Sequence, residues 1–339
     1  MTTHAIDTEA LDSTLMKALV YRRYGAPDVV AIATVPRPKV EDHDVLVRVH
    51  ATTVSAADWR ARSLAMPPGF ALMGRLFFGV FGPRRPILGT ELAGVVEAVG
   101  RSVTRFVPGD EVFAFTGASY GSHAEYRVLR QDGMIAKKPE NLSFEEAAAL
   151  SFGGTNALSF LRDKGGVKRG DKVLVIGASG AVGSAAVQIA KHFGAEVTGV
   201  CSTTNVELVR SIGADEVIDY TKEDFARSGK LYDLILETTG TAGFARCESS
   251  LAPGGRLLVV FGSLAQALGL ERPSKASGKK VIASLPRVSS ADLELLATLA
   301  ATGEYKPVID RIYPWTQAAE AHARVDTGRK RGNVVMTVD

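Results

Sequence analysis

Two cysteines are all that the 339 residues contain, Cys201 and Cys247, and they fall in different segments. No disulfide framework or cysteine-rich metal cage can be built from them, which fits a reducing compartment. An excess of one charge is missing as well: 40 Lys and Arg stand against 37 Asp and Glu, interspersed without a long like-charge run. That balance leaves no electrostatic footprint for nucleic acid. Six histidines form no constellation along the chain. Long apolar runs are absent too. The most apolar region, "LAMPPGFALMGRLFFGVFG" at residues 64–82, is broken by Pro67, Pro68, Arg75 and several glycines. It cannot supply the roughly 20 continuous apolar residues of a spanning helix, so no membrane partner is expected. The N-terminal "MTTHAIDTEALDSTL" has three acids in its first twelve residues and no apolar core. It predicts a flexible tail over residues 1–15 without a secretory signal, and a cytoplasmic protein.

What is present suits an ordinary globular chain of about two domains, with 46% hydrophobic and 23% charged residues. From residue 16 to about 139, short alternating runs punctuated by Gly and Pro ("KALVY", "DVLVRVHA", "GVVEAVG", "DEVFAF", "AEYRVL") predict an antiparallel, barrel-like β domain. "NLSFEEAAALSFGGTNALSFL" is helical by period. Thereafter strands alternate with helices: "KVLVIGA", "AVGSAAVQIAKHFG", "EVTGVCS", "NVELVRSIG", "EVIDY", "YDLILET", "GRLLVVFG", "KKVIASL". Such βαβ alternation specifies a doubly wound parallel sheet, here residues 140–304. The tail from Lys306 returns to short strands around one helix, and residues 305–339 are expected to rejoin residues 16–139.

The chemistry-bearing signal is "KVLVIGASGAVGSAAVQIAKHFGAEV". A strand ends in small residues and a helix opens, so the backbone can turn tightly and approach a pyrophosphate, whose charge the helix N-terminus favours. Ser179, Gly180, Ala181 and Val182 are the phosphate-binding candidates. The bland alternative is a tight βα turn, which the following βα units disfavour. The second strand ends in "CSTTN", where an NAD site places an acid about 20 residues beyond the turn. Ser202 and Thr203 instead offer hydroxyls to a 2′-phosphate that a carboxylate would repel; NADP(H) is the expected cofactor. The same hydroxyls would also serve to cap the following helix.

"GTELAGVVEAVG", "PGDEVFAF", "GASGAVGSAAVQIAKHFGA", "GADEVIDY" and "APGGRLLVVFGS", in that order, resemble the medium-chain dehydrogenase/reductases from about Met16 to the C-terminus. Within them the chain is similar to the zinc-independent quinone oxidoreductase branch. The resemblance implies a GroES-like β-barrel catalytic domain beside a Rossmann domain, with a homodimer as the expected assembly. Zinc relatives carry a Cys in the early loop and a His in "GHE". Here the loop reads "TTVSAADWRARS" and the triplet is Gly89, Thr90, Glu91; the four-cysteine structural loop is also missing. No metal is expected, because a catalytic zinc needs three protein ligands.

Without a Lewis acid, hydride delivery to an electrophilic carbon remains, as in quinones and α,β-unsaturated carbonyls. In the family the early loop reads "NxxDxxxRxG" and lines the nicotinamide site. Its matches here are Ser55, Asp58 and Arg62, the catalytic candidates, with Asp58 and Arg62 as a structural ion pair for the alternative. A tyrosine common in the family is replaced by Met66. The resemblance further implies cofactor contacts from Thr155, Tyr220, Phe261, Gly262, Arg331 and Asn333. A basic residue is usual after the second strand; Val206 stands near its place, and Arg210 and Lys222 are substitutes. Residues 64–82 are open to three readings: a lid over the substrate, a partner surface or a packed loop. An enoyl-thioester reductase and a non-catalytic NADPH-binding protein of crystallin-like or vesicle-associated kind are the competing functions.

Overall fold

Residues 14–270 and 277–338 are described by a computed structural model, so most of the expected N-terminal tail lies outside the described residues. The chain opens with β1 (Leu15–Tyr21) and β2 (Val30–Pro36), a two-stranded antiparallel ribbon. The long strand β3 (Asp44–Val54) leads into α1 (Ala56–Ser63) and α2 (Ala71–Phe78), then β4 (Glu91–Val99), β5 (Glu111–Phe115), β6 (Tyr126–Arg130) and β7 (Ile135–Lys137). Two short helices, α3 (Phe144–Ala148) and α4 (Ser151–Leu158), carry the chain to the second sheet.

There β8 (Lys172–Ile176), α5 (Ala181–His192), β9 (Glu196–Cys201), α6 (Val206–Ser211), β10 (Glu216–Asp219) and β11 (Tyr232–Glu237) follow one another. After α7 (Phe244–Cys247) come β12 (Leu251–Val259), α8 (Leu264–Ala267), β13 (Lys280–Ala283) and α9 (Ser290–Ala301). Finally β14 (Ile309–Pro314), α10 (Ala318–Asp326) and β15 (Asn333–Thr337) return to the first sheet, where β15 pairs antiparallel with β3.

The six strands of the second sheet run parallel in the order β10-β9-β8-β11-β12-β13. The order reverses between β8 and β11, and a crevice opens beyond the carboxyl ends of strands at such a reversal. Its central strands are buried on both faces: Val173, Leu174, Val175, Leu234, Ile235 and Leu236 are fully inaccessible. Hence they read as continuous apolar runs, in contrast to the alternating strands of the barrel. The seven-stranded sheet follows the order β14-β15-β3-β4-β5-β7, with β6 on β3. Its core includes Val47, Leu92, Val112, Val334 and the buried Trp315.

Residues 64–82 divide in two. The first part crosses to the other domain: the Leu264 amide donates to the Pro68 carbonyl at 3.0 Å, and Gly69 lies close against the Leu264 side chain. The second part forms α2. No residue of 64–82 lines the crevice between the domains.

Candidate active site

The crevice holds a cavity of about 660 Å³. One wall is backbone. Gly177 adopts φ +81° after β8, in the left-handed region that costs glycine nothing. Gly180 is the N-cap of α5, and Ala181 and Val182 present first-turn amides, which have no partner inside a helix. Any side chain at Gly183 would overlap the Gly177 carbonyl oxygen, so helix and strand can approach only as glycine permits. The C-terminal segment is clipped to this turn, with the Gly332 amide donating to the Ser179 carbonyl at 2.7 Å.

At one end of the cavity, Tyr220 is well exposed beside Cys201, Ser202, Thr204 and Asn205. The Asn205 amide donates to Ser179 Oγ at 3.1 Å and to Ser202 Oγ at 3.2 Å. Arg331 Nη2 donates to the Thr204 carbonyl at 3.1 Å, which fixes a guanidinium at the same rim. The capping alternative for the hydroxyls is not realised: neither Ser202 nor Asn205 makes a side-chain cap bond. Arg210 and Lys222 turn elsewhere, toward Glu207 and Asp219.

The other end is formed by Trp59 and Arg60 of α1 together with Phe152, Thr238, Thr239 and Phe261. The Arg60 guanidinium lies 4.2 Å from the Phe261 ring centroid, and its Nε is buried without a hydrogen-bond partner. Burial lowers its pKa, but an arginine stays charged.

The three expected catalytic side chains face the interior instead. Ser55 caps α1, accepting from Ala57 N at 3.2 Å, while Asp58 Oδ2 accepts from Ser55 N at 2.8 Å. Asp58 Oδ1 accepts from Gly89 N at 2.7 Å, tying α1 to the Gly89-Thr90-Glu91 turn. Arg62, fully buried, donates from Nη2 to both carboxylate oxygens of Asp326 of α10, at 2.5 and 2.6 Å, and from Nη1 to the Gly25 carbonyl. Asp58 and Arg62 therefore each have another partner, which corrects the expected ion pair. All three hold α1 so that the intervening Trp59 and Arg60 face the crevice.

Four cofactor candidates also lie off the cavity lining. Thr155 is buried within α4, and Gly262 sits behind Phe261 against Ala283 and Gln266. The Thr203 hydroxyl donates to Asp219 at 2.6 Å, and Asn333 Nδ2 donates to the Val308 carbonyl at 3.1 Å. Thr204 takes the place expected of Thr203, whose hydroxyl is drawn to Asp219 and Thr221. Ser179, Gly180, Ala181, Val182, Ser202, Tyr220, Phe261 and Arg331 do line the cavity. A second cavity, about 690 Å³, lies behind α5 near Gln188, Lys191 and Lys306, away from the dinucleotide turn.

The family profile described as alcohol dehydrogenase GroES-like domain matches residues 41–140, and that described as zinc-binding dehydrogenase matches residues 212–336. Human quinone oxidoreductase is 34% identical over 93% of this chain and 95% of its own length. The chain belongs to the medium-chain dehydrogenase/reductase superfamily, in its quinone oxidoreductase-like branch. Tomato 2-methylene-furan-3-one reductase is 32% identical over 95% of the chain and 79% of its own length. The structure of quinone oxidoreductase from Coxiella burnetii superimposes with a TM-score of 0.85 at 28% identity, covering 96% of this chain and all of that one. The chain is thus an oxidoreductase that uses a nicotinamide cofactor.

Zinc, which the second profile's description implies, does not fit the donors present. Thr90 occupies the histidine position and is buried with its hydroxyl unpartnered. The neighbouring Glu91 spends both oxygens on protein, accepting from Thr53 Oγ1 and from the Phe152 amide. Burial raises its pKa to about 7. Among the described residues no group of three His, Cys, Asp or Glu could hold a metal ion. Glu91 instead links the barrel to α4 beneath the crevice, a role the triplet alone did not reveal.

Proposed function

We propose that this protein is an NADPH-dependent, zinc-independent reductase of quinones or α,β-unsaturated carbonyl compounds. The cofactor, when bound, supplies hydride. The Gly177–Val182 backbone suits its pyrophosphate, and Tyr220 stands where the resemblance puts the adenosine. Two features at that end favour a 2′-phosphate: the neutral Ser202 and Thr204 hydroxyls, and the Arg331 guanidinium held at their rim.

The observation that carries the reaction is Arg60. The Arg60 guanidinium, held over Phe261 on the lining of the crevice, brings a fixed positive charge to the substrate end. When hydride adds to one end of a conjugated system, negative charge gathers on the carbonyl oxygen at the other. Arg60 would hold that oxygen in a site walled by Trp59 and Phe152, where such donors contribute about 3 kcal/mol. A quinone or enone places its oxygen within reach of this one group, and the tomato relative's name specifies a reductase of such an enone.

Stopped-flow oxidation of NADPH and NADH by a panel of quinones, enones and enoyl-CoA tests the reading. Rapid turnover of quinones or enones with a preference for NADPH is expected. Turnover confined to enoyl-CoA would establish the thioester reductase instead, and tight NADPH binding with no turnover would establish the non-catalytic binder.

A further inference from the structure

Helix α2 has an outer face that the fold leaves uncovered. Leu72 is 72% exposed, Phe77 51%, and Phe81, just beyond the helix, is fully exposed. Met73 and Leu76 add to the same surface. The inner side is firmly attached, so this is a rigid feature: Gly74 packs on Met66, Phe78 meets Tyr120 edge-on, and Tyr24 Oη donates to the Gly79 carbonyl at 2.8 Å. Monomeric soluble proteins rarely present so many large apolar side chains together without using them.

The rim of the patch is cationic throughout. Residues 59–90 contain five arginines and no acid. Arg60 and Arg62 belong to the crevice and to the Asp326 pair, which leaves Arg75, Arg84 and Arg85 exposed around α2. Arg85 lies 5.7 Å from the Phe77 ring centroid, and Arg84 and Arg85 enclose a shallow hollow with Met73, Leu76 and Phe77. Exposed Arg22 adjoins through its carbonyl, 3.5 Å from where a side chain at Gly82 would begin. Among the described residues none of these exposed arginines is paired with a carboxylate.

We propose that this face docks on the surface of an anionic lipid bilayer. Large apolar side chains with arginines at their edge match the boundary between acyl chains and negatively charged headgroups, where apolar burial and charge attraction act together. A second copy of this chain matches poorly. A two-fold contact sets the patch against its own copy, and with no acid in residues 59–90 the arginine rim of one copy finds no carboxylate on that segment of the other. The eight residues of α2 are too few to span, so the attachment is peripheral and reversible. The inference is independent of the reaction proposed above.

The test is co-sedimentation of the full-length protein with vesicles of phosphatidylcholine alone or with 30% phosphatidylserine, at roughly 50 and 500 mM salt. Binding to the anionic vesicles is expected to fall at least about fivefold on raising the salt or omitting phosphatidylserine. Two variants separate the contributions: Leu72→Ser/Phe77→Ser/Phe81→Ser, and Arg84→Glu/Arg85→Glu. Each should release the protein while leaving its far-ultraviolet dichroism and NADPH affinity unchanged. Wild-type protein that stays in the supernatant with anionic vesicles would overturn the proposal, as would a triple variant that still sediments fully. Sedimentation velocity closes the remaining route: a dimer that the triple serine variant dissociates would assign the patch to a second copy and overturn the lipid proposal.

Discussion

On the Rossmann wall of the crevice the chain presents backbone, and on the barrel wall it presents long side chains. The first wall works because residues are small. Gly177 needs its positive φ, Gly183 needs the absence of a Cβ, and the amides of Ala181 and Val182 act regardless of their side chains. The second wall works because Trp59 and Arg60 are large and are aimed by a layer beneath them. That layer is the Ser55–Asp58 cap, the Asp58–Gly89 bond and the Arg62–Asp326 pair. A backbone wall tolerates no added atom at a few positions, whereas a side-chain wall depends on polar groups buried far from the chemistry.

The largest effect should come from breaking the backbone wall. In Gly183→Val the new side chain collides with the Gly177 carbonyl, and helix and strand must separate at a cost of about 3 kcal/mol. NADPH affinity, read by cofactor fluorescence, should fall by at least about 100-fold. A variant that binds within about tenfold of wild type would show that the turn is more adaptable than its packing indicates.

Next comes Arg60→Gln on the side-chain wall. Losing a charged donor at the acceptor oxygen should lower kcat about 100-fold. NADPH binding should stay within about twofold, since Arg60 stands at the substrate end. Binding of a phenolate, the anionic product form of a quinone, to the protein saturated with NADP⁺ should weaken in parallel. Lost cofactor affinity with unchanged phenolate affinity would reassign Arg60 to the cofactor.

These two substitutions also mark what the sequence could disclose. The dinucleotide turn was legible because glycine requirements are tied to position: strand, small residues and helix occur in one continuous stretch. The early loop was legible only as a location. Ser55, Asp58 and Arg62 follow a family spacing, but spacing does not say which side of an eight-residue helix faces the crevice. Helical geometry turned 59 and 60 outward when 55, 58 and 62 turned inward. Arg62 found its partner 264 positions away, in Asp326, a separation no local pattern reports. The β10 acid, Asp219, was similarly invisible as the partner of Thr203, so the hydroxyl that lines the cavity is that of Thr204. Both cysteines are free and buried in the Rossmann half.

A smaller effect should follow Arg331→Gln. Its guanidinium sits at the adenosine end but is exposed, so solvent and salt reduce its contribution. NADPH affinity should drop about tenfold and NADH affinity hardly at all, with the gap narrowing as salt rises. Equal losses for the two cofactors in calorimetry would place Arg331 at the shared pyrophosphate and not at the 2′-phosphate.

The mildest prediction concerns the support beneath the side-chain wall, which titrates where the apolar support of the Rossmann wall does not. His322 of α10 is buried against His123, with ring centroids 5.8 Å apart, and neither of its nitrogens has a partner. Burial first, then the neighbouring His123 and Arg62, lowers its pKa well below the ordinary 6.5. Burial also lowers the pKa of His123, although Asp58 and the Thr53 carbonyl favour its proton. Below about pH 6.5 the unfolded chain protonates both rings while the folded one resists. Stability must therefore fall on acidification, by at most about 1.4 kcal/mol per pH unit per histidine. Glu91 acts in the opposite sense. Its raised pKa, about 7, means that the folded state keeps a proton which the unfolded state releases above about 4.5, so its contribution grows as pH falls through that window. One histidine is offset and one is left. His322→Phe should accordingly flatten the dependence of urea stability on pH between about 6.5 and 5, followed by the fluorescence of Trp59 and Trp315, both in the barrel half. An acid slope unchanged in the variant would mean that His322 already carries its proton in the folded protein, contrary to its burial.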